Sequence, residues 1–365
     1  MVELFDVAIV GGGPAGSVCA AFCSSTGLRT LLLEREKFPR EKVCGDCLNP
    51  SCWSVLDRID LSRRVRALPH VKLQAVEFVS LGGRNIVVTL PTDDDGEIAV
   101  KRSLFDHLLL ERARELGACI LEQETVTAVR RDHEWKIETS SGKILSASVL
   151  VGADGRNSTV ARLCDLSPRL ARDRIALQSH LPMPANFGQR VLLQFLPGGY
   201  SGIAPVNEEE LNVCLVARPN DIDALKMWAA KRFTLPVNHT WRTITPLSRS
   251  ALSPVGQNLF LIGDAARIVE PFTGEGIYYA MRSGELAAGA IAKMVQGRNG
   301  QSISEEFAHD YAGMYQGRLW INRLARASVL SPRLGSFLVQ AARINPSLLR
   351  LVTGKIVNSK RGTTA

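Results

Sequence analysis

No apolar run among the 365 residues reaches the roughly 18 that suggest a membrane-spanning helix. Met1 leads into Glu3 and Asp6 without a basic leader or a cleavage pattern, so a cytosolic protein is expected. Low-complexity and collagen-like stretches are also missing, and 45% apolar with 22% charged residues is the composition of an ordinary folded chain. Acids are absent from residues 311–365, which hold nine bases: Arg318, Arg323, Arg326, Arg333, Arg343, Arg350, Lys355, Lys360 and Arg361. Subtracting those nine from the net charge of +8 leaves the preceding 310 residues at −1. The basicity belongs to the tail, and no nucleic-acid partner is expected. The eight cysteines, without a secretion signal, read as reduced thiols rather than a disulfide framework.

Residues 4–10, LFDVAIV, form a short β-branched apolar run of the kind found in buried parallel strands. Gly11, Gly13, Pro14, Ala15 and Gly16 follow at once, then small helix-compatible residues, then LRTLLLE ending on Glu34 and Arg35. This is a complete βαβ unit. Gly11 permits the tight turn, Gly13 lets a pyrophosphate approach the backbone, and Gly16 lets helix and strand pack closely. The helix start supplies free N–H groups and partial positive charge. Glu34 can accept the hydroxyls of an adenosine ribose and would repel a 2′-phosphate. FAD and NAD both fit this unit. A second GxGxxG does not occur, so a nicotinamide would visit transiently rather than occupy its own Rossmann domain.

Residues 147–155, ASVLVGADG, read as another buried strand running into Asp154-Gly155, and 259–264, LFLIGD, as a third ending on Gly263-Asp264. Together with the opening unit these motifs resemble the FAD-dependent oxidoreductases that include aromatic-ring hydroxylases, flavin-dependent halogenases and geranylgeranyl reductases. The resemblance covers most of residues 1–300. It implies that Asp154 and Gly155 lie near the pyrophosphate, and that Asp264 meets the ribityl hydroxyls. It also implies that Pro271, Gly274, Gly276 and Ile277 face the pyrimidine edge of the flavin. A helix starting near Gly276 would aim its dipole at the charge that collects there on reduction. Arg102 matches an arginine near flavin and phosphates, and Val126 belongs to the same expected cofactor set.

FPREKVCGDCLNP, residues 38–50, resembles the geranylgeranyl reductase branch, in which Cys44 would lie beside the isoalloxazine and Gly45 would give the loop freedom. Cys44-x-x-Cys47 with Cys52 could instead be a redox pair or metal clasp, but no histidine stands at ligand spacing; no metal site is expected. Tyr200, in GYSGIAP, is a candidate pocket residue. The family usually carries tryptophan in place of Gly202, and the halogenase Trp-x-Trp-x-Ile-Pro pattern is missing.

The expected fold is α/β, a Rossmann-like FAD domain (residues 1–69, 99–165 and 254–300) interleaved with a mainly antiparallel β substrate domain (70–98 and 166–253). Residues 301–365 are expected to add a helical cap. Leu334, Phe337, Leu338 and Ala341, then Leu348, Leu349 and Val352, recur at helical spacing among the bases. They fit a cap on the FAD domain with arginines in water, or a peripheral membrane face. The expected activity is reduction of carbon–carbon double bonds in a hydrophobic isoprenoid or polyketide, with NAD(P)H as donor. Oxygen transfer to an aromatic substrate and a non-enzymatic flavoprotein are the alternatives.

Overall fold

The structure, a computed structural model, describes residues 4–166, 170–171 and 174–344. Leu348, Leu349, Val352 and the bases Arg350 to Arg361 lie outside the described residues.

The first sheet grows from the opening unit. Strand Leu4–Val10 passes through Gly11 into helix Pro14–Ser25 and returns as strand Thr30–Glu34, parallel to the first with Val7 opposite Thr30 and Val10 opposite Leu33. Strands Ile144–Gly152 and Leu259–Leu261 extend it in parallel on one side and Cys119–Glu122 on the other. An antiparallel pair, Val126–Arg131 and Trp135–Thr139, hangs from Ile144–Gly152. Val7, Ala8, Ile9, Leu31, Leu32 and Val151 are fully buried, as expected when both faces of a parallel sheet are covered. Helix Gly276–Val295 packs on helix Pro14–Ser25 so closely that a Cβ on Gly284 would meet the Ala15 carbonyl oxygen at 2.3 Å. Gly16 has the same role against the turn, where an added Cβ would sit 1.9 Å from the Gly11 oxygen.

The second sheet has seven strands in the order Arg242–Ile244, Ile175–Pro182, Glu210–Ala217, Gly199–Pro205, Arg190–Leu196, Ala75–Val79, Asn85–Thr89. Every pairing is antiparallel except Arg190–Leu196 with Ala75–Val79. Alternation along these strands sorts two faces. Leu177, Leu192, Val213 and Leu215 pack outward under helix Ile222–Phe233. Ala176, Phe195, Tyr200 and Val216 form the inner face, joined there by Val43 and Phe272 of the first body. The turn around Phe272 is therefore a shared wall. Phe272 meets Tyr200 edge-on at 5.1 Å between ring centroids and stacks on Phe195 at 5.9 Å.

Of the C-terminal helices, Gly300–Met314 caps the FAD body against Gly276–Val295, while the last two described helices reach the second sheet. Helix Leu319–Leu330 packs on the Pro271–Thr273 turn and on strand Gly199–Pro205, while Pro332–Ile344 lies across the Ala75–Val79, Asn85–Thr89 and Arg190–Leu196 strands. Gly335 rests directly on the Phe195 ring. Arg318 is not in water either: it pairs with the buried carboxylate of Glu275. No described helix is long and apolar enough to cross a membrane.

Candidate functional site

A cavity of about 560 Å³ connects the ends of the parallel strands with the inner face of the second sheet. Its first end is built by main chain. Gly11 has φ +107°, and an added Cβ would strike the Ala153 carbonyl at 2.6 Å. Helix Pro14–Ser25 begins at Gly13 with no side-chain cap and no acid in its first turn, and Gly13, Pro14 and Ala15 line the cavity. The positive end of the helix is thus open to an anion. Glu34 lies across the turn, its carboxylate accepting from the Gly12 N–H at 2.7 Å and the Glu36 N–H at 2.9 Å. Those two bonds fix its orientation and leave lone pairs for a hydroxyl. Arg35 lines the same end but is largely exposed and only loosely paired with Glu36, at 3.6 Å. Val126 lines that end as well.

Beyond the glycines four cations border the cavity: Arg40, Lys42, Arg102 and Arg156. Arg102 forms a bidentate pair with Asp106 at 2.7 and 2.8 Å, and Arg40 reaches the same carboxylate at 3.1 Å. Arg156 bonds Asp264 at 2.9 Å, while its buried Nε has no partner. Burial, then the charges of Arg40, Arg156 and Arg102, push the Lys42 ammonium down to about 8. Four cations converging beside an uncapped helix start are the chemistry of a diphosphate cradle. Sequence reading found only Arg102 of the four. Arg40 and Lys42 stand beside Cys44 in the chain, yet their convergence needs the fold.

Asp154 borders the cavity beside Gly11 and Arg156, and its carboxylate is also held locally. Its carboxylate accepts from the Ser158 hydroxyl at 2.6 Å and from the Thr159 and Val160 N–H groups at 2.6 and 3.0 Å, so it caps helix Thr159–Leu163. It borders the cavity through that turn, next to Gly155 with φ +82°. Asp264 sits not on the strand end but in a turn of 3-10 helix, Gly263–Ala265, and Arg249 donates to the Ala265 carbonyl at 2.5 Å behind it. Gly263 has φ +56° and lies against Ala15. Pro271 opens another such turn, Gly274 follows in the left-handed region, and helix Gly276–Val295 starts there. Pro271, Gly274, Gly276 and Ile277 all line the cavity, and no acid lies in that helix's first turn. Arg174 and Glu270, both buried, form a bidentate pair at 2.9 Å that ties this turn to the second sheet.

Cys44 and Gly45 form the loop between the two ends. The Cys44 carbonyl accepts from Asn212 Nδ2 at 2.7 Å, and the same amide reaches Asp46 at 2.8 Å. Asp46, buried at φ +61°, also holds His180 Nε2 at 2.7 Å. Burial raises the Asp46 carboxyl while His180 opposes the rise. This polar network sets the loop's position, and sequence reading missed it, because Asp46, His180 and Asn212 come from distant segments. Cys47 and Cys52 are free thiols. Among the described residues no group of three or more His, Cys, Asp or Glu is placed to hold a metal ion. The second end is apolar, lined by Val76, Phe78, Val191, Leu193, Tyr200 and Phe272. Tyr200 is buried, and burial raises its phenol well above the usual value.

A Rossmann-type crevice with an anion cradle, opening into an apolar chamber on a second sheet, defines a dinucleotide-dependent enzyme. The FAD binding domain model matches residues 4–209, and the chain belongs to that family; it is an FAD-dependent oxidoreductase. It is 30% identical to geranylgeranyl diphosphate reductase of Synechocystis, over 82% of this chain and 78% of that protein. Digeranylgeranylglycerophospholipid reductase 3 of Methanosphaera stadtmanae is 28% identical over 87% and 84%. Conditioned medium factor receptor 1 of Dictyostelium discoideum is 26% identical over 94% and 76%. In fold the chain is similar to the flavin-dependent brominase Bmp2, with TM-score 0.79 at 23% identity, covering 98% of this chain and 95% of that one.

Proposed function

We propose that this protein reduces carbon–carbon double bonds of a hydrophobic, isoprenoid-like substrate, with NAD(P)H as a transient electron donor. The observation that carries the reading is the cavity's change of character, from cations and glycines at one end to Phe78, Val191, Leu193 and Tyr200 at the other. A chamber of that lining binds by apolar burial, at about 25 cal/mol per Å². Two of the relatives carry names of isoprenoid reductases, which agrees with it.

The residues divide the work. The start of helix Pro14–Ser25 with Arg40, Lys42, Arg102 and Arg156 would hold the pyrophosphate, and Glu34 the adenosine ribose. Asp264 would take ribityl hydroxyls on one oxygen, with Arg156 on the other. The start of helix Gly276–Val295 would stabilise negative charge on the reduced ring. FAD, when bound, supplies a two-electron hydride donor. Cys44 and Gly45 would form one wall beside that donor, kept in place by Asn212 and Asp46. Phe272, Tyr200 and Phe195 would exclude water from the reacting carbons.

Incubation with NADPH and a polyprenyl substrate tests the reading by product mass. Gain of two hydrogens is expected. Gain of one oxygen from O₂ overturns it in favour of oxygen transfer.

A further inference from the structure

One ionisable side chain in the apolar end of the cavity has no part in holding the cofactor. Glu97 precedes strand Ile98–Val100, and its main chain is pinned: the Leu73 N–H donates to its carbonyl at 2.9 Å, and Trp53 Nε1 donates to the Gly96 carbonyl at 3.0 Å. The strand itself is paired on both edges, with Cys47–Leu48 and with His70–Lys72. The side chain borders the cavity, is half-buried, and makes no hydrogen bond among the described residues. It shares the cavity wall with Leu90, Val76, Ala204 and Cys47, which pack in one apolar cluster.

The surrounding groups offer it no counter-charge. Cys47 and Cys52 face it as thiols whose pKa values are raised, in each case first by burial. Asp46 is occupied with His180 and Asn212. On the paired strand, Lys72 turns out to Asp94 at 3.3 Å and His70 bonds the Leu68 carbonyl. Burial alone pushes the Glu97 carboxyl up to about 7. A neutral carboxyl carries one O–H donor, and a buried donor without an acceptor is a cost that a ligand can relieve.

We infer that Glu97 is the polar recognition group of this chamber, donating a hydrogen bond to a carbonyl oxygen carried by an otherwise hydrophobic ligand. The ligand class is then an isoprenoid or polyketide ketone or quinone rather than a pure hydrocarbon. The inference rests on the hydrophobic-substrate reading and narrows it.

Titration calorimetry of the FAD-loaded protein with geranylacetone, a polyprenyl ketone, and farnesene, a hydrocarbon of similar size, separates the two. At about pH 6 the wild type is expected to bind the ketone roughly fivefold more tightly than the hydrocarbon. Raising pH through about 7 weakens both, because the ligand must then displace water from an anion. Glu97→Gln keeps an amide donor, so it should retain the ketone preference with a flat pH profile; Glu97→Leu should lose the preference. A carboxylic C=O infrared band seen near pH 6, lost above the transition and absent in Glu97→Gln, reports the proton without reference to activity. Equal affinity for the two probes, or a pH profile unchanged in Glu97→Gln, overturns the role of Glu97 alone. Failure of both probes to bind overturns the hydrophobic-substrate reading and the inference together.

Discussion

The two ends of the cavity are made of different material. The flavin end is main chain and charge: glycines at 11, 13 and 16, a helix start, and cations fixed on Asp106 and Asp264. The chamber end is side chains standing on antiparallel strands, where each position can change without moving its neighbours. Geometry at the first end is set by steric exclusion, and at the second by volume. Substitutions should therefore fail abruptly at one end and tune binding at the other.

Gly16→Val is the most severe test. The new Cβ has no space, lying 1.9 Å from a backbone oxygen that cannot retreat without breaking the turn. Loss of FAD and of soluble, folded protein is expected, read by flavin absorbance and circular dichroism. A yellow, stable variant would show that the turn is more adaptable than its packing says.

Arg102→Ala follows. Asp106 is fully buried, and Arg40 alone would remain to face it at 3.1 Å. Removing one partner of a buried pair typically costs several kcal/mol, and with Arg40 still present about 3 kcal/mol is expected in urea unfolding of the apoprotein. FAD affinity should fall as well, since the cradle loses a charge. A loss below about 1 kcal/mol would make the pair a surface-like one.

The third test is electrostatic. Lys42 is depressed to about 8, so between that value and its ordinary value of 10.5 the unfolded chain binds more protons than the folded one. Apoprotein stability should accordingly rise with pH across that window. Pyrophosphate beside Lys42 would restore its proton, so FAD binding near pH 8 should take up about half a proton and weaken by about tenfold toward pH 10. Calorimetry in buffers of different ionisation heat reads the uptake. A flat profile in the wild type would place the diphosphate away from Lys42, and Lys42→Met should flatten the profile if it lies there.

These differences also explain what the sequence made legible. Gly11, Gly13, Gly16 and Glu34 carry their meaning within thirty residues, because a turn, a helix start and a strand end are local structures, and the helix start at Gly276 is read the same way. Asp154 is legible only in part: Asp-Gly at a strand end marks the cavity turn, but the carboxylate's hold on Ser158 and Thr159 shows only in the fold. The Asp46, His180 and Asn212 network and the Arg174 and Glu270 pair join segments about 100 residues or more apart, and no local pattern marks them. Glu97 follows Asp93, Asp94 and Asp95 in the chain, and no local pattern sets it apart from them. Only the packing of the Ile98–Val100 strand turns it inward.

The mildest test for the flavin, and the sharpest for the chamber, is Gly202→Trp. Gly202 borders the cavity within strand Gly199–Pro205, and an added Cβ would meet only the Leu193 side chain, at 3.4 Å, with φ outside the left-handed region. The backbone thus accepts a side chain there, and the indole would have to fill the space beside Leu193 and Tyr200. FAD affinity should stay within about twofold of wild type, as no cofactor-facing group moves. Geranylacetone and farnesene should both lose most of their affinity, because the volume they need is taken. If flavin binding fell together with the probes, the two ends would be one mechanically coupled unit, and the division between steric exclusion and tunable volume would have to be abandoned. Retained flavin with probes excluded would instead locate the substrate against this strand and make Gly202 the residue that gives the chamber its length.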